Sequence, residues 1–376
     1  MNLLIAGDMV PKENNIDFFR TGKIDKILGE ELRDIWKQSD YKIFNLEAPI
    51  TECEEKIKKN GPNLKISSTA IKGIKDMEPT CVLLANNHVM DYGEKGLQDT
   101  LDILDTNNIN WIGVGENKFN IDKSFVIEAE GKKIVIYNCC ENEFSLATSK
   151  KPGANGSDFL ELYNDIRMLK EKNTFLIIVY HGGKEHYRYP SPHLQELCRK
   201  MVDYGADLIV CQHSHCIGCY EKYKDKTIVY GQGNFIFDGP NNEYWNTSLI
   251  INLDISKKMN VEYIPTIRTE TGTRLATQEE KNRILDLFIS RSEEIKKENF
   301  IEKQYKEFSI KYFDLYLQKC HGDNMVFRIL NKICAHKLTS KLYSKRSLLA
   351  LLNIIECEAH RELFIEGLKN KIFDNK

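Results

Sequence analysis

Short apolar runs recur from residue 2 to about 268, separated by amphipathic stretches, and five of them end on a residue that can hold a metal or move a proton. The runs at 2–6, 41–45, 81–85, 110–113, 133–137, 175–180 and 207–210 have the length and apolar content of buried strands. Between them, residues 93–107 place Leu97, Leu101, Ile103 and Leu104 at helical spacing, and 194–204 follow Pro190-Ser191-Pro192, a helix-start signal. Strands that alternate with helices in this way predict an α/β fold with its strands sandwiched between helices. Further runs at 227–230, 249–255 and 261–267, rich in Val, Ile and Tyr, predict more strand than helix in the second half.

In an open α/β sheet, ligands bind beyond the carboxyl ends of the strands, so the residue after each run is the one to inspect. Asp8 closes Ile5-Ala6-Gly7-Asp8, and Asn45 and Glu47 lie in Ile43-Phe44-Asn45-Leu46-Glu47. Asn86, Asn87 and His88 follow the third run, His181 follows 175–180, and His213 with His215 follows 207–210. Each has an ordinary structural use: Asp caps helices, Asn tolerates left-handed turns, and His packs with one nitrogen satisfied. Together, carboxylate, amide and imidazole form the ligand set of a pair of divalent transition metals. Two such ions roughly 3.5–4 Å apart activate water and clamp the oxygens of a displacement at phosphorus.

Composition narrows the classes of partner. Fifty-three Lys and Arg against 55 Asp and Glu leave a net charge of −2, so no excess of positive charge exists to bind nucleic acid, and none is expected as a partner. No apolar run approaches the roughly 18 residues of a spanning helix. The residues before Asp8 lack the basic and long apolar regions of a signal peptide, so no integral membrane segment is expected. Eleven cysteines scattered through a chain long enough to build its own core predict free thiols in a reducing compartment, which makes the expected location cytoplasmic. Cys216-Ile217-Gly218-Cys219 has the spacing of half a zinc site, but no second such pair completes one. After Thr273 the texture changes to Leu, Ile, Phe, Lys and Glu at three- and four-residue spacing, which predicts four or so helices. The expected domains are therefore 1–272 and an α-helical C-terminal region, 273–376, able to cap a pocket or bind a protein partner.

The order Gly7-Asp8, Asn45-Leu46-Glu47, Asn86-Asn87-His88, His181-Gly182-Gly183 and His213-Ser214-His215 resembles the calcineurin-like metallophosphoesterase superfamily. Asn45-Leu46-Glu47-Ala48-Pro49-Ile50-Thr51, Asn86-Asn87-His88 through Asp91-Tyr92-Gly93, and Tyr230-Gly231-Gln232-Gly233-Asn234-Phe235-Ile236-Phe237-Asp238 are similar to its CapA branch, named for poly-γ-glutamate capsule synthesis. The resemblance covers about residues 2 to 240 and implies a four-layer α/β/β/α metallophosphoesterase-like sandwich, with the helical extension outside it.

The resemblance also implies one or two divalent ions, manganese, iron or zinc. Asp8 and His215 would serve one, Asn87, His181 and His213 the other, with Asn45 or Glu47 near the bridging position. His88 would be the general acid that protonates the leaving oxygen, or would steady charge on the phosphoryl group, a task suited to an imidazole titrating near neutral pH. Glu185 and His186 would line the substrate pocket, and Asn234 would open a loop beside it. Two departures stand out. The superfamily usually places a His two residues after the first Asp, where this chain has Val10, and usually bridges with an Asp where this chain has Asn45. Alternation along a strand puts Asn45 and Glu47 on one side, so Glu47 can substitute. Gly182 stands where the branch usually has Trp, which predicts a more open pocket wall.

The function so implied is a metal-dependent hydrolase in capsule or surface-polymer metabolism, with metal-bound water as nucleophile. Its substrate would be a phosphorylated small molecule or polymer intermediate. One alternative is a CapA-type accessory protein of polymer synthesis with a degenerate or single-metal site. Another is a hydrolase or transferase acting at a γ-glutamyl amide.

Overall fold

A computed structural model describes residues 1–129, 131–255, 259–320, 325–334 and 337–373, so the last three residues of the expected helical region lie outside the described residues. The first strands are β1 (Asn2–Val10), β2 (Tyr41–Leu46), β3 (Cys81–Leu83), β4 (Trp111–Ile112) and β5 (Ser124–Ala129). Next come β6 (Lys132–Cys140), β7 (Thr174–His181), β8 (Leu208–Gln212), β9 (Tyr220–Tyr223) and β10 (Lys226–Val229). The last are β11 (Asn234–Phe237), β12 (Thr247–Asp254), β13 (Asn260–Arg268) and β14 (Thr273–Leu275).

Among the described residues these strands form two main sheets. One has the order β14-β13-β12-β1-β2-β3-β4, with β11 also paired to β1; the other has the order β9-β10-β8-β7-β6-β5. β1 to β4 run parallel, as does β11 with β1, whereas β12, β13 and β14 extend the sheet antiparallel. In the second sheet β6, β7, β8 and β10 are parallel, with antiparallel β5 and β9 at the edges.

Alternate residues of the strands serve different layers, because successive side chains leave a strand on opposite faces. Leu3, Ile5, Ile43 and Leu83 of the first sheet share one buried cluster with Ile136, Ile177, Val179 and Val210 of the second, so the sheets pack face to face. On the outer side of the first sheet, Leu4, Phe44 and Val82 pack with Trp36 of α1 (Glu30–Gln38) and with Leu97 and Leu104 of α2 (Gly93–Thr106). On the outer side of the second, Val135, Leu176, Ile178 and Ile209 pack with Leu162 and Ile166 of α3 (Phe159–Leu169) and with Leu197 and Met201 of α4 (Pro192–Tyr204). The architecture is the four-layer α/β/β/α sandwich that the sequence implies. The central strands read as unbroken apolar runs because both of their faces are buried.

The compact unit runs from Met1 to Ile301, with a second unit from Glu302 to Lys376. It thus passes the boundary expected near 272 and takes in α5 (Gln278–Glu294). This helix opens with a capping box, Thr277 and Glu280 each bonding the other's backbone. It packs on β9 of one sheet and β13 of the other, and Ile284 and Phe288 join the cluster between the sheets. The Phe288 ring meets Tyr263 at 4.9 Å and Tyr220 at 5.2 Å. The described C-terminal residues form helices α6 (Phe300–Cys320), α7 (Met325–Ile333), α8 (Lys337–Leu342), α9 (Lys345–Glu356) and α10 (Glu358–Phe373). No helix of the described residues is long and apolar enough to cross a membrane.

Candidate metal centre

Every residue expected at the strand ends reaches the same edge of the sandwich, with two changes of local setting. Asp8 does not follow β1 but lies inside it. The pairing slips between Asp8 and Met9 against β11, and between Ile5 and Asp8 against β2, an irregularity that re-aims a side chain within a strand. Val10, two residues on, packs in the apolar cluster beneath α1 and α2. Asn234 begins strand β11, opposite Asp8 in register, rather than opening a loop. Asn45 lies in β2 with Glu47 just beyond it, His181 ends β7, and His213 and His215 follow β8. Both of these histidines have left-handed backbone, at φ 80° and 52°, a conformation that side chains other than glycine's rarely adopt.

The side chains interlock. His181 Nδ1 stands 3.6 Å from Asp8 Oδ1, and its Nε2 stands 3.4 Å from Glu47 Oε1, 3.1 Å from Asn87 Oδ1 and 3.2 Å from His213 Nδ1. His215 Nδ1 lies 2.8 Å from Asn234 Oδ1 and 3.6 Å from Asp8 Oδ2, and its Nε2 is 3.9 Å from Glu47 Oε1. The His213 backbone N–H donates to Asp8 Oδ2 at 3.2 Å. Asn45 turns its amide N–H to Asp8 Oδ1 (2.8 Å), while its oxygen accepts from Asn86 Nδ2 (3.1 Å). Of the two residues expected near the bridging position, Glu47 therefore has the free oxygens.

Glu47 also tests whether a cation fits. Both of its carboxylate oxygens are buried and without a hydrogen-bond partner, although three imidazoles surround them. A buried carboxylate is tolerated only beside compensating charge. Ligand atoms of Glu47, His181 and His213 lie within 4.8 Å of one another, as do those of Asp8, Glu47 and His215, so Glu47 is common to two candidate sites. A third group joins Glu185, which is exposed, to His213 and His215. Carboxylate and imidazole suit manganese, iron or zinc, and the residues present fit such an ion. In the chain by itself His181 carries the compensating charge. Burial alone would lower its pKa, but Asp8 and Glu47 push it up to about 10. Burial likewise works to raise the Asp8 carboxyl, and His181, His215 and Asn45 outweigh it, leaving it low. His213 is held well below the usual imidazole range by burial and by the neighbouring imidazoles.

His88 sits beside this cluster. Its backbone N–H donates to Asn86 Oδ1 (3.1 Å), and its Nδ1 lies 2.6 Å from Asp91 Oδ2 and 3.2 Å from Lys59 Nζ. Lys59 forms an ion pair with Asp91 in turn. Asp91 also accepts from the Leu64 N–H at 2.6 Å, and its carbonyl accepts from Ile57 and Asn63, so one residue anchors the loop 51–66.

A model of the bacterial capsule synthesis protein family PGA_cap matches residues 2–239. The chain belongs to that family. Among curated relatives, the capsule biosynthesis protein CapA of Bacillus anthracis is 32% identical over 54% of this chain and 51% of its own length. The PGA biosynthesis protein CapA of Bacillus subtilis is 31% identical over 54% of this chain and 55% of its own. A probable polyglutamine synthesis accessory protein of Mycobacterium tuberculosis is 24% identical over 53% and 56%. The chain spans about half the length of these relatives. Among solved structures, a phosphatase from Mycoplasma pneumoniae superposes with a TM-score of 0.46 at 14% identity, over 71% of this chain and 93% of that one. A likeness that loose carries no functional assignment.

The structure adds residues that the strand-end reading passed over. Glu141 follows β6, and its Oε1 lies 3.5 Å from His213 Nε2 while its Oε2 accepts from the Gly183 N–H at 2.9 Å. Burial raises its pKa, against the pull of Gly183 and His181. Trp245 stacks on His215 at 4.9 Å, and the His186 ring lies 6.2 Å from that of His215. A Cβ at Gly182 would meet the Tyr180 ring at 2.7 Å, so that ring fills the space from which a larger side chain would start. Cys216 and Cys219 are buried, burial raises both thiols, that of Cys216 to about 11, and neither joins a group of candidate metal ligands among the described residues.

Proposed function

We propose that this protein is a metal-dependent phosphoesterase of capsule or surface-polymer metabolism, and the observation that carries the reading is Glu47, a buried carboxylate with unpartnered oxygens among three imidazoles. Asp8, Glu47 and His215 would hold one divalent ion and Glu47, His181, His213 and Asn87 a second, with Glu141 beside His213 and Glu185 beside His213 and His215. Bound there, such ions supply Lewis acidity and lower the pKa of water to near neutrality.

The chain's own residues do the rest. Asn45 and Asn234 hold Asp8 and His215 in place through their amides. Asp91 occupies Nδ1 of His88, which leaves Nε2 to give a proton to the departing oxygen. Lys59 balances the Asp91 charge next to that imidazole.

The test is metal analysis of the purified protein alongside hydrolysis of an aryl phosphate monoester and diester with added manganese. Bound metal and turnover that falls in His88→Ala support the reading. No bound metal, with no turnover above the His88→Ala control, overturns it.

A second reading is an accessory role in polymer synthesis. It is supported by Val10, which removes an imidazole from the site, and by the name of the Mycobacterium tuberculosis relative. Under that reading metal binds but neither phosphate esters nor γ-glutamyl amides turn over.

A further inference from the structure

Lys12 stands just past β1, at the sheet edge that carries Asp8. Its ammonium donates to the Asp238 carbonyl at 3.1 Å and lies 4.7 Å from the centre of the Phe237 ring. That ring meets His215 edge-on at 5.4 Å, so one aromatic side chain separates Lys12 from the candidate metal centre. Lys12 is half-buried, and burial lowers its pKa against the fields of Asp238 and Glu47. Among the described residues it forms no ion pair with a carboxylate.

A cleft of about 810 Å³ opens beside it, lined also by Arg20, Lys65, Ser67 and Thr69. Of the other charges along this cleft, Glu13 is an exposed carboxylate and the rest have partners. Asp17 pairs with Arg20 at 2.9 Å, Lys65 with Glu54 at 2.6 Å, and Asp238 Oδ1 with Arg268 at 3.0 Å. Glu52 accepts from the Ser67 and Ser68 hydroxyls at 2.9 and 2.8 Å. Lys12 is thus a half-buried cation without a carboxylate partner, in a cleft large enough for several residues of a polymer and continuous in sequence with the metal-site strand.

We propose that the cleft holds the non-reacting part of an acidic substrate, with Lys12 Nζ pairing with a carboxylate or phosphate on it while the bond to be cleaved lies at the Asp8–Glu47–His215 cluster. This rests on the hydrolase reading above. A charge-assisted hydrogen bond at Lys12 would fix the register of a long substrate, and binding energy far from the reacting bond is what such an enzyme uses to position it.

The test is calorimetric titration of the full-length protein, as purified, with inorganic phosphate and with a γ-linked glutamate trimer. It compares wild type, Lys12→Met, which keeps the aliphatic stem, and Lys12→Arg. Lys12→Met is expected to weaken at least one probe about tenfold, the worth of one charge-assisted hydrogen bond, while Lys12→Arg stays near wild type and the melting temperature holds. Loss confined to phosphate assigns a phosphoryl group to Lys12, and loss confined to the trimer assigns a carboxylate. Equal affinity in wild type and Lys12→Met for both probes, or no binding of either, overturns the proposal. Because binding is read without turnover, failure of the cleft and failure of the hydrolase reading give different results.

Discussion

His88 Nδ1 stands 2.6 Å from Asp91 Oδ2, the same carboxylate oxygen that accepts the Leu64 N–H. One buried carboxylate therefore fixes an imidazole and clips down the loop 51–66. Asp91→Asn is expected to lower kcat for an aryl phosphate about tenfold to a hundredfold, the usual cost of losing an orienting partner. The double variant with His88→Ala should lose little more than His88→Ala alone, since residues that act as a unit are not additive. Steady-state kinetics of the four proteins checks this, and multiplying effects would refute the coupling.

Glu47→Gln removes a buried charge without removing volume. Bound metal per chain is expected to fall, and the metal-free protein is expected to lose stability in urea as well, because Glu47 is one of the two carboxylates that keep the buried His181 charged. Metal analysis and urea melts of both proteins measure the two effects separately.

Phe288 is fully buried and Leu287, beside it on α5, is 45% exposed. Phe288→Ala is expected to cost about 3–5 kcal/mol, and Leu287→Ala no more than about 0.5 kcal/mol. Equal, small losses in chemical denaturation would mean that α5 is not part of the sandwich.

Arg274 reaches Glu280 with two hydrogen bonds of 2.8 Å, and with the Thr277 N–H it draws the Glu280 pKa from 4.5 down to about 2. A lowered carboxyl pKa contributes stability that is present above pH 4.5 and fades as pH falls towards 2. The stability gap between wild type and Arg274→Ala should accordingly be constant above pH 4.5 and close below it. Urea melts from pH 7 to 2 report this, and salt should narrow the gap because both groups are partly exposed.

The ends of β7 and β8 are legible because both strands are buried on both faces, which makes each an apolar run with an abrupt polar end. Glu141 escaped the same reading: β6 passes through Asn138, Cys139 and Cys140 before it, so no apolar run stops there. Lys59 lies among several lysines in a loop without periodicity, and only the fold selects it as the one at Asp91. The slip in pairing around Asp8 depends on two neighbouring strands, one of them more than two hundred residues away, which no local pattern encodes. The apolar stripe of α5 announces a helix but not its packing partner, and so the expected boundary fell short of Ile301.

His213 and His215 are both held in left-handed backbone, a conformation costing on the order of 1 kcal/mol or more at each residue. Glycine at either place would relieve that cost, so a chain selected for durability alone would drift away from histidine there. At these two positions the imidazole is placed at the expense of the backbone that carries it.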